Sequence, residues 1–410
     1  MKKVYTPYLA LAVLLGVLVS STIAYTCTKA RVGQVTHQSP DVLQEGYMLI
    51  APYRIDIVPT DEERTGIVHL VDRNGVVLHT WKTEAPVLVA NLQKDGTLFV
   101  SMTPAIDHSK YPGFGTTGIL QQLDWNGKVL WEHKDPLMTI DFEVLPDGSV
   151  AYLRFEETSA QFASQVRGGY RTATTSVWAN DIVVVNREDN TTFAWHLSEH
   201  LEPYNYTINS LAPRQEFAHS NSLRYVPDNP ITERPVFVVS VRHISKVFLI
   251  DAETGEMVWE SPDSLFSMQH DAMILPNGNL LAFDNGFGRE TITGLFSRAV
   301  ETHLLTGQIV WAYDGGTSIT GKAQFASSIM GGAERLSNGN TFITLSTSGR
   351  VLEVTNEGDV VWEYQHAARD GDGELPILFR ARLYETGDAV WQRKIVWPAF
   401  FSSLFCKANL

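Results

Sequence analysis

The sequence predicts an all-β fold: a six-bladed β-propeller of four-stranded antiparallel blades, preceded by an N-terminal hydrophobic helix. Two observations predict the propeller. A hairpin pattern ending in Trp occurs six times, at Trp81, Trp131, Trp195, Trp259, Trp311 and Trp362. The intervals between these Trp are 50, 64, 64, 52 and 51 residues, the length of one blade with loops of variable size.

Each repeat alternates apolar and polar residues around a polar turn, as in IVHLVDRNGVVLHTW and VLEVTNEGDVVW, so each strand gains a buried face. Asn-Gly, Thr-Gly and Glu-Gly at the tips supply the positive φ of tight turns. Four of the five intervals hold a second hairpin turn, at Asp95-Gly96, Asp147-Gly148, Asn277-Gly278 and Asn338-Gly339. Two hairpins make one blade. The first Trp hairpin has no partner before it and the strand Leu378 to Tyr384 has none after it, so the two are expected to pair and close the ring. Closure removes the sheet edges that would aggregate. The six Trp are expected to pack between blades. Insertions at Glu156 to Ala179 and Ser198 to Ala218 lengthen two repeats, as lids or as surface excursions.

The expected boundaries are 1–30 for a signal peptide or membrane anchor, 31–60 for a lead-in, 61–390 for the propeller and 391–410 for an apolar tail. Lys2 and Lys3 precede a charge-free run from Val4 to Thr28 with an apolar centre, Leu9 to Val19. That length suits either a spanning helix of about 20 residues or a cleaved signal, and either route exports the body of the protein. Ile395 to Phe405 is too short to span and reads as a packed tail.

The 410 residues carry 46 acidic and 32 basic side chains, a net charge of −14, and are 44% hydrophobic, which excludes intrinsic disorder. An acidic chain without a Lys/Arg stripe is a poor partner for nucleic acid. Cys27 and Cys406 alone supply neither a disulfide framework nor a thiolate metal cluster. Asp370 to Glu374 resembles part of a calcium loop but lacks the full ligand spacing.

Polar interruptions at the starts of inner strands point toward a propeller's channel. AHSNSL places His219 and Asn221 two apart, on one side of a strand. VVSVRHI contributes Arg242, and MQHDAM places His270 at the equivalent point one repeat after His219. Arg242 offers a planar fork to sulfate or phosphate oxygens, Asn221 a neutral donor, and one imidazole a nucleophile or proton shuttle. No acidic residue joins them in these motifs, which argues against a metal. The structural alternatives are histidines that satisfy backbone groups at a strand start, Arg242 bracing carbonyls between blades, and Asn221 stabilising a turn.

The runs HSNSL, VVSVRH, QHDAMILPNGNLLAFDNG and SRAVE, followed by the Thr-Gly and Trp hairpins, resemble the bacterial arylsulfate sulfotransferases, six-bladed propellers of the periplasm. The resemblance runs from about Gly46 to Tyr384. It implies transfer of sulfate from an aryl sulfate to a phenolic acceptor, without a nucleotide cofactor, through a sulfated histidine. It implies His270 as that nucleophile, with His219, Asn221 and Arg242 holding the sulfuryl oxygens and assisting the leaving phenolate. Asn285 and Arg298 match recurrent family positions with a structural role. Two departures stand out. Ile140 replaces a family histidine, and Met330 takes the place of a family hydroxyl, with Ser327 and Ser328 nearby. The alternatives are an anchored propeller that binds a ligand or partner without chemistry, and a quinoprotein dehydrogenase, whose eight blades and metal-bound quinone fit six Trp repeats poorly.

Overall fold

The computed structural model describes residues 30–53, 65–104, 115–172, 174–289, 296–367, 377–387 and 390–395. The charge-free N-terminal run, the acidic turn at 370–374 and the tail beyond 395 lie outside these residues. Among the described residues no helix is long and apolar enough to cross a membrane.

Six antiparallel sheets form the blades. Blade 1 orders its strands Arg382–Glu385, Gly46–Ile50, Gly66–Asp72 and Val77–Thr83 from the axis outward. Blades 2 to 5 each take four consecutive blade strands, and their inner strands are Val87–Leu92, Met138–Val144, Ser220–Val226 and His270–Ile274. Blade 6 starts at Gly332–Arg335 and carries a fifth, outermost strand, Gly33–Gln38, paired with Val360–His366. The ring closes where the sequence expects it, in blade 1, but Gly46–Ile50 intervenes between the C-terminal strand and the first Trp hairpin. Two segments of the expected lead-in, Gly33–Gln38 and Gly46–Ile50, are therefore blade strands. Both are short, and QVTHQ carries no apolar alternation to announce them.

The strands are apolar on both faces because each blade is covered on both sides. In blade 4, Phe237, Val239 and Val241 pack toward Leu153 and Ile182 of blade 3. Val236 and Val238, one residue out of phase, pack toward Ala272 and Leu280 of blade 5. Period-two geometry thus puts alternate residues into two different cores. Burying each such side chain contributes roughly 1.5–3 kcal/mol, so the blade interfaces carry most of the stability.

The Trp repeats clasp neighbouring blades. Trp81 Nε1 donates to Asp124 O (3.2 Å), Trp131 to Asn190 Oδ1 (3.2 Å), Trp195 to Gly255 O (2.8 Å) and Trp311 to Asn356 O (3.0 Å). Trp362 closes the circle on Arg73 O at 2.9 Å. Each acceptor lies in the outer turn of the next blade, so the turn and the Trp are two halves of one joint.

The two insertions pair with each other. Arg167–Tyr170 runs parallel to Thr207–Pro213, and Phe162, Ile208 and Phe217 are buried in the core of blades 3 and 4. At the C-terminus Trp391 is buried against Tyr47, with ring centroids 5.6 Å apart.

Candidate active site

The inner strands of blades 3, 4 and 5 all begin with a bulge. Their ladders slip between Thr139 and Phe142, between Ser220 and Ser222, and between His270 and Met273. Within or beside these slips, Ile140, His219 and Asp271 adopt left-handed φ of 40°, 51° and 52°. A bulge re-aims side chains that a regular strand would alternate. The expectation that His219 and Asn221 share a strand face fails for this reason. His219 turns toward Glu216, whereas Asn221 turns toward the next blade and donates from Nδ2 to Gln269 O at 2.8 Å. Its Oδ1 is buried without a partner. Asn221 therefore braces the backbone just before His270.

His270 opens the inner strand of blade 5 and is 3% exposed. Its Nδ1 lies 2.7 Å from Asn285 Oδ1. Asn285 Nδ2 donates to Ser327 O (2.7 Å) and Met330 O (2.8 Å), so the Asn oxygen must face the ring and His270 carries its proton on Nδ1. Nε2 keeps its lone pair and accepts the Met330 N–H at 3.2 Å. Burial, reinforced by the Arg242 cation, pushes His270 well below the usual imidazole value of 6.5 and keeps the ring neutral. Asn285 is thus the partner of the expected nucleophile. Arg298 is structural, binding Asp284 at 2.8 Å and Leu265 O at 2.8 Å.

Arg242 is 8% exposed, and among the described residues its guanidinium has no hydrogen bond or ion pair. Burial lowers it to about 10, opposed by Glu216, so it remains a cation near neutral pH. A largely buried guanidinium that no carboxylate among the described residues binds directly attracts an anion.

His219 Nδ1 lies 2.5 Å from Glu216 Oε1. Its ring stacks on His243, with centroids 4.5 Å apart and planes 18° apart. His243 Nδ1 donates to the backbone carbonyl of Glu216 at 2.8 Å, and burial, with His219 beside it, lowers His243 to about 3. The motif reading held no acidic residue at the site. Glu216 corrects it: the carboxylate arrives from the second insertion, three residues before His219. Glu216, His219 and His243 present metal-ligating atoms within 4.8 Å of one another, but the Arg242 cation acting on His243 opposes a second positive charge there. A second such group, Glu156, Asp181 and His196, is satisfied by Arg154 and Ser198.

An apolar wall borders His270. Phe379 meets its ring edge-on at 6.4 Å, and Ile140 shares a core with Phe379 against which Met330 and Tyr53 pack. Beyond it an ionic layer crosses the channel. Arg380 binds Asp141 (2.5 Å) and Asp271 (3.1 Å), while Arg224 and Arg382 reach Asp271 at 2.8 and 2.5 Å. Burial raises Asp141 but Arg380 and Arg224 outweigh it, leaving the carboxyl below its usual range. Farther along, a cavity of about 640 Å³ is lined by Glu143, Glu334, Arg224, Arg382 and Tyr384. Burial pushes Glu143 up to about 7 and Glu334 to about 8.

A structure of a protein of unknown function from Bacteroides caccae matches at TM-score 0.50 and 13% identity, covering 83% of this chain and 100% of that one. This likeness concerns the fold alone. Apo AztD from Citrobacter koseri matches at TM-score 0.42 and 10% identity, covering 84% and 99% of the two chains. A streptogramin B lyase matches at 0.41 and 12%, covering 82% and 98%. No curated protein matches the chain. The family model of arylsulfotransferase (ASST) matches residues 91–367, well over half of the sequence. By that match the chain belongs to the arylsulfotransferase family.

Proposed function

We propose that this protein transfers a sulfuryl group from an aryl sulfate donor to a phenolic acceptor by way of a sulfated His270. The observation that carries the reading is the pairing of a neutral imidazole, with its lone pair fixed on Nε2, and a largely buried guanidinium that no side chain among the described residues holds by a hydrogen bond or ion pair. A nucleophile must be neutral to attack, and a largely buried cation beside it suits the three sulfuryl oxygens. Sulfuryl transfer resembles phosphoryl transfer in its loose transition state, so placement and charge account for most of the rate. The apolar wall of Phe379, Ile140 and Met330 suits an aryl ring. In the first half-reaction Nε2 bonds to sulfur as the aryl C–O–S linkage loses its S–O bond. In the second, the acceptor oxygen takes the sulfuryl group from Nε2.

The charge-free N-terminal run supports export, with the propeller on the extracytoplasmic side of a membrane. Incubation of the purified chain with para-nitrophenyl sulfate and phenol tests the activity. Nitrophenolate release that requires both the acceptor and His270 supports the reading. No release from folded protein, across pH and acceptors, overturns it. A second reading, a propeller that binds its ligand without chemistry, is favoured by Ile140 at the family histidine and by the Met330 N–H on the Nε2 lone pair.

A further inference from the structure

We propose that Glu216 is a positioning residue that commits Nε2 of His219 to proton exchange with the aryl oxygen. The inference deepens the sulfuryl-transfer reading and rests on it. Glu216 reaches the site from the second insertion, outside every inner strand, and is itself buried. Three contacts define its place. Its Oε1 holds His219 Nδ1 at 2.5 Å, its backbone carbonyl accepts from His243 Nδ1 at 2.8 Å, and His243 lies flat on the His219 ring.

These contacts leave His219 little freedom. A carboxylate on Nδ1 keeps a proton there, so the ring exchanges its other proton through Nε2 alone. The stacked His243, anchored to the same residue, blocks rotation of the ring. His219 itself sits at φ 51°, a backbone state held by its surroundings. The arrangement is a carboxylate–imidazole pair that ends on an exchangeable proton, as in other acid–base sites.

The proton balance is closed. In the first half-reaction the imidazolium of His219 gives its Nε2 proton to the departing phenolate, and the product phenol leaves. The neutral ring keeps its proton on Nδ1, donated to the Glu216 carboxylate. In the second, the acceptor O–H passes its proton to Nε2 as its oxygen attacks sulfur, which restores the starting state. Glu216 offsets the positive charge of His219 whenever both ring nitrogens hold a proton. With Ile140 at the family histidine, this pair is well placed among the described residues to carry that proton.

Two measurements on the full chain test the proposal. In the first, turnover is followed over a series of aryl sulfates whose phenols differ in acidity, for wild type and Glu216→Gln. Glu216→Gln is expected to lose on the order of 10²-fold with the least acidic phenols and little with para-nitrophenyl sulfate, which needs no proton. Equal losses across the series overturn the proposal. In the second, ¹⁵N–¹H correlation of the imidazoles reads tautomers without turnover. The Nδ1-protonated population of His219 is expected to fall in Glu216→Ala while His270 keeps its Nδ1–H, which also reports an intact fold. An unchanged His219 tautomer overturns the assignment. If the wild type transfers no sulfate, the functional reading fails, and the tautomer measurement still decides the pairing.

Discussion

His270 Nδ1 and Asn285 Oδ1 are 2.7 Å apart, and the Asn amide is locked from behind by the carbonyls of Ser327 and Met330. That lock selects which nitrogen of His270 is basic. It ties the inner strand of blade 5 to the segment leading into blade 6, so the tautomer depends on how two blades meet.

Asn285→Leu removes the acceptor and frees the ring to rotate or change tautomer. Turnover is expected to fall by on the order of 10²-fold, since small misplacements of a reacting atom have effects of that size. Steady-state kinetics together with the ¹⁵N imidazole spectrum checks both halves of the expectation.

Arg242→Met separates function from stability. If Arg242 holds the sulfuryl oxygens as proposed, its loss lowers transfer by about 10²–10³-fold. Removing a largely buried charge that Glu216 offsets only in part is expected to raise Tm by roughly 1–4 °C. Parallel calorimetry and kinetics give the two signs.

Ile140→His introduces the histidine that the family resemblance implies at this position. Ile140 holds φ 40°, which a β-branched residue tolerates poorly and histidine better. The variant is expected to fold and to gain about 10-fold or more with donors of poor leaving groups, the lower end of acid–base contributions. A donor series measured on both proteins shows whether the gain is confined to them.

Stability should fall as pH rises from about 7 to 9, above the range in which the buried neutral rings of His270 and His243 act in the opposite sense. Glu334 stands at about 8 in the folded chain against an ordinary value of 4.5, so between these values the folded state holds a proton that the unfolded state has lost. Its contribution is complete below 4.5 and is lost as pH climbs to about 8. Glu143, at about 7, acts in the same direction. Glu334→Gln is expected to flatten the decline of Tm with pH. Asp141 opposes it only in acid, where protonating a carboxyl held low by Arg380 removes stability.

Much of this was legible in the residues. The Trp hairpins announced the blades and, at five of the six Trp, the joints between them, because a Trp and the next blade's polar turn are the two ends of a clasp. His270 and Arg242 were legible as polar breaks in apolar strands. Glu216 was not, because it lies on an insertion with no repeat to align it, and only its spacing of three from His219 hinted at a pair. Asn221 was placed on the wrong face because alternation holds only in a regular strand, and the ladder slips there. Gly33–Gln38 was missed since an outermost strand has little apolar pattern to show.

The central claim is that sulfate rests covalently on His270. Intact-protein and peptide mass spectrometry after exposure to an aryl sulfate without acceptor tests it most directly. The account predicts a gain of one SO₃ group on the His270 peptide, absent in His270→Ala and discharged by added phenol. Multiple turnovers with an unmodified His270 peptide, or a sulfated residue elsewhere, would contradict it.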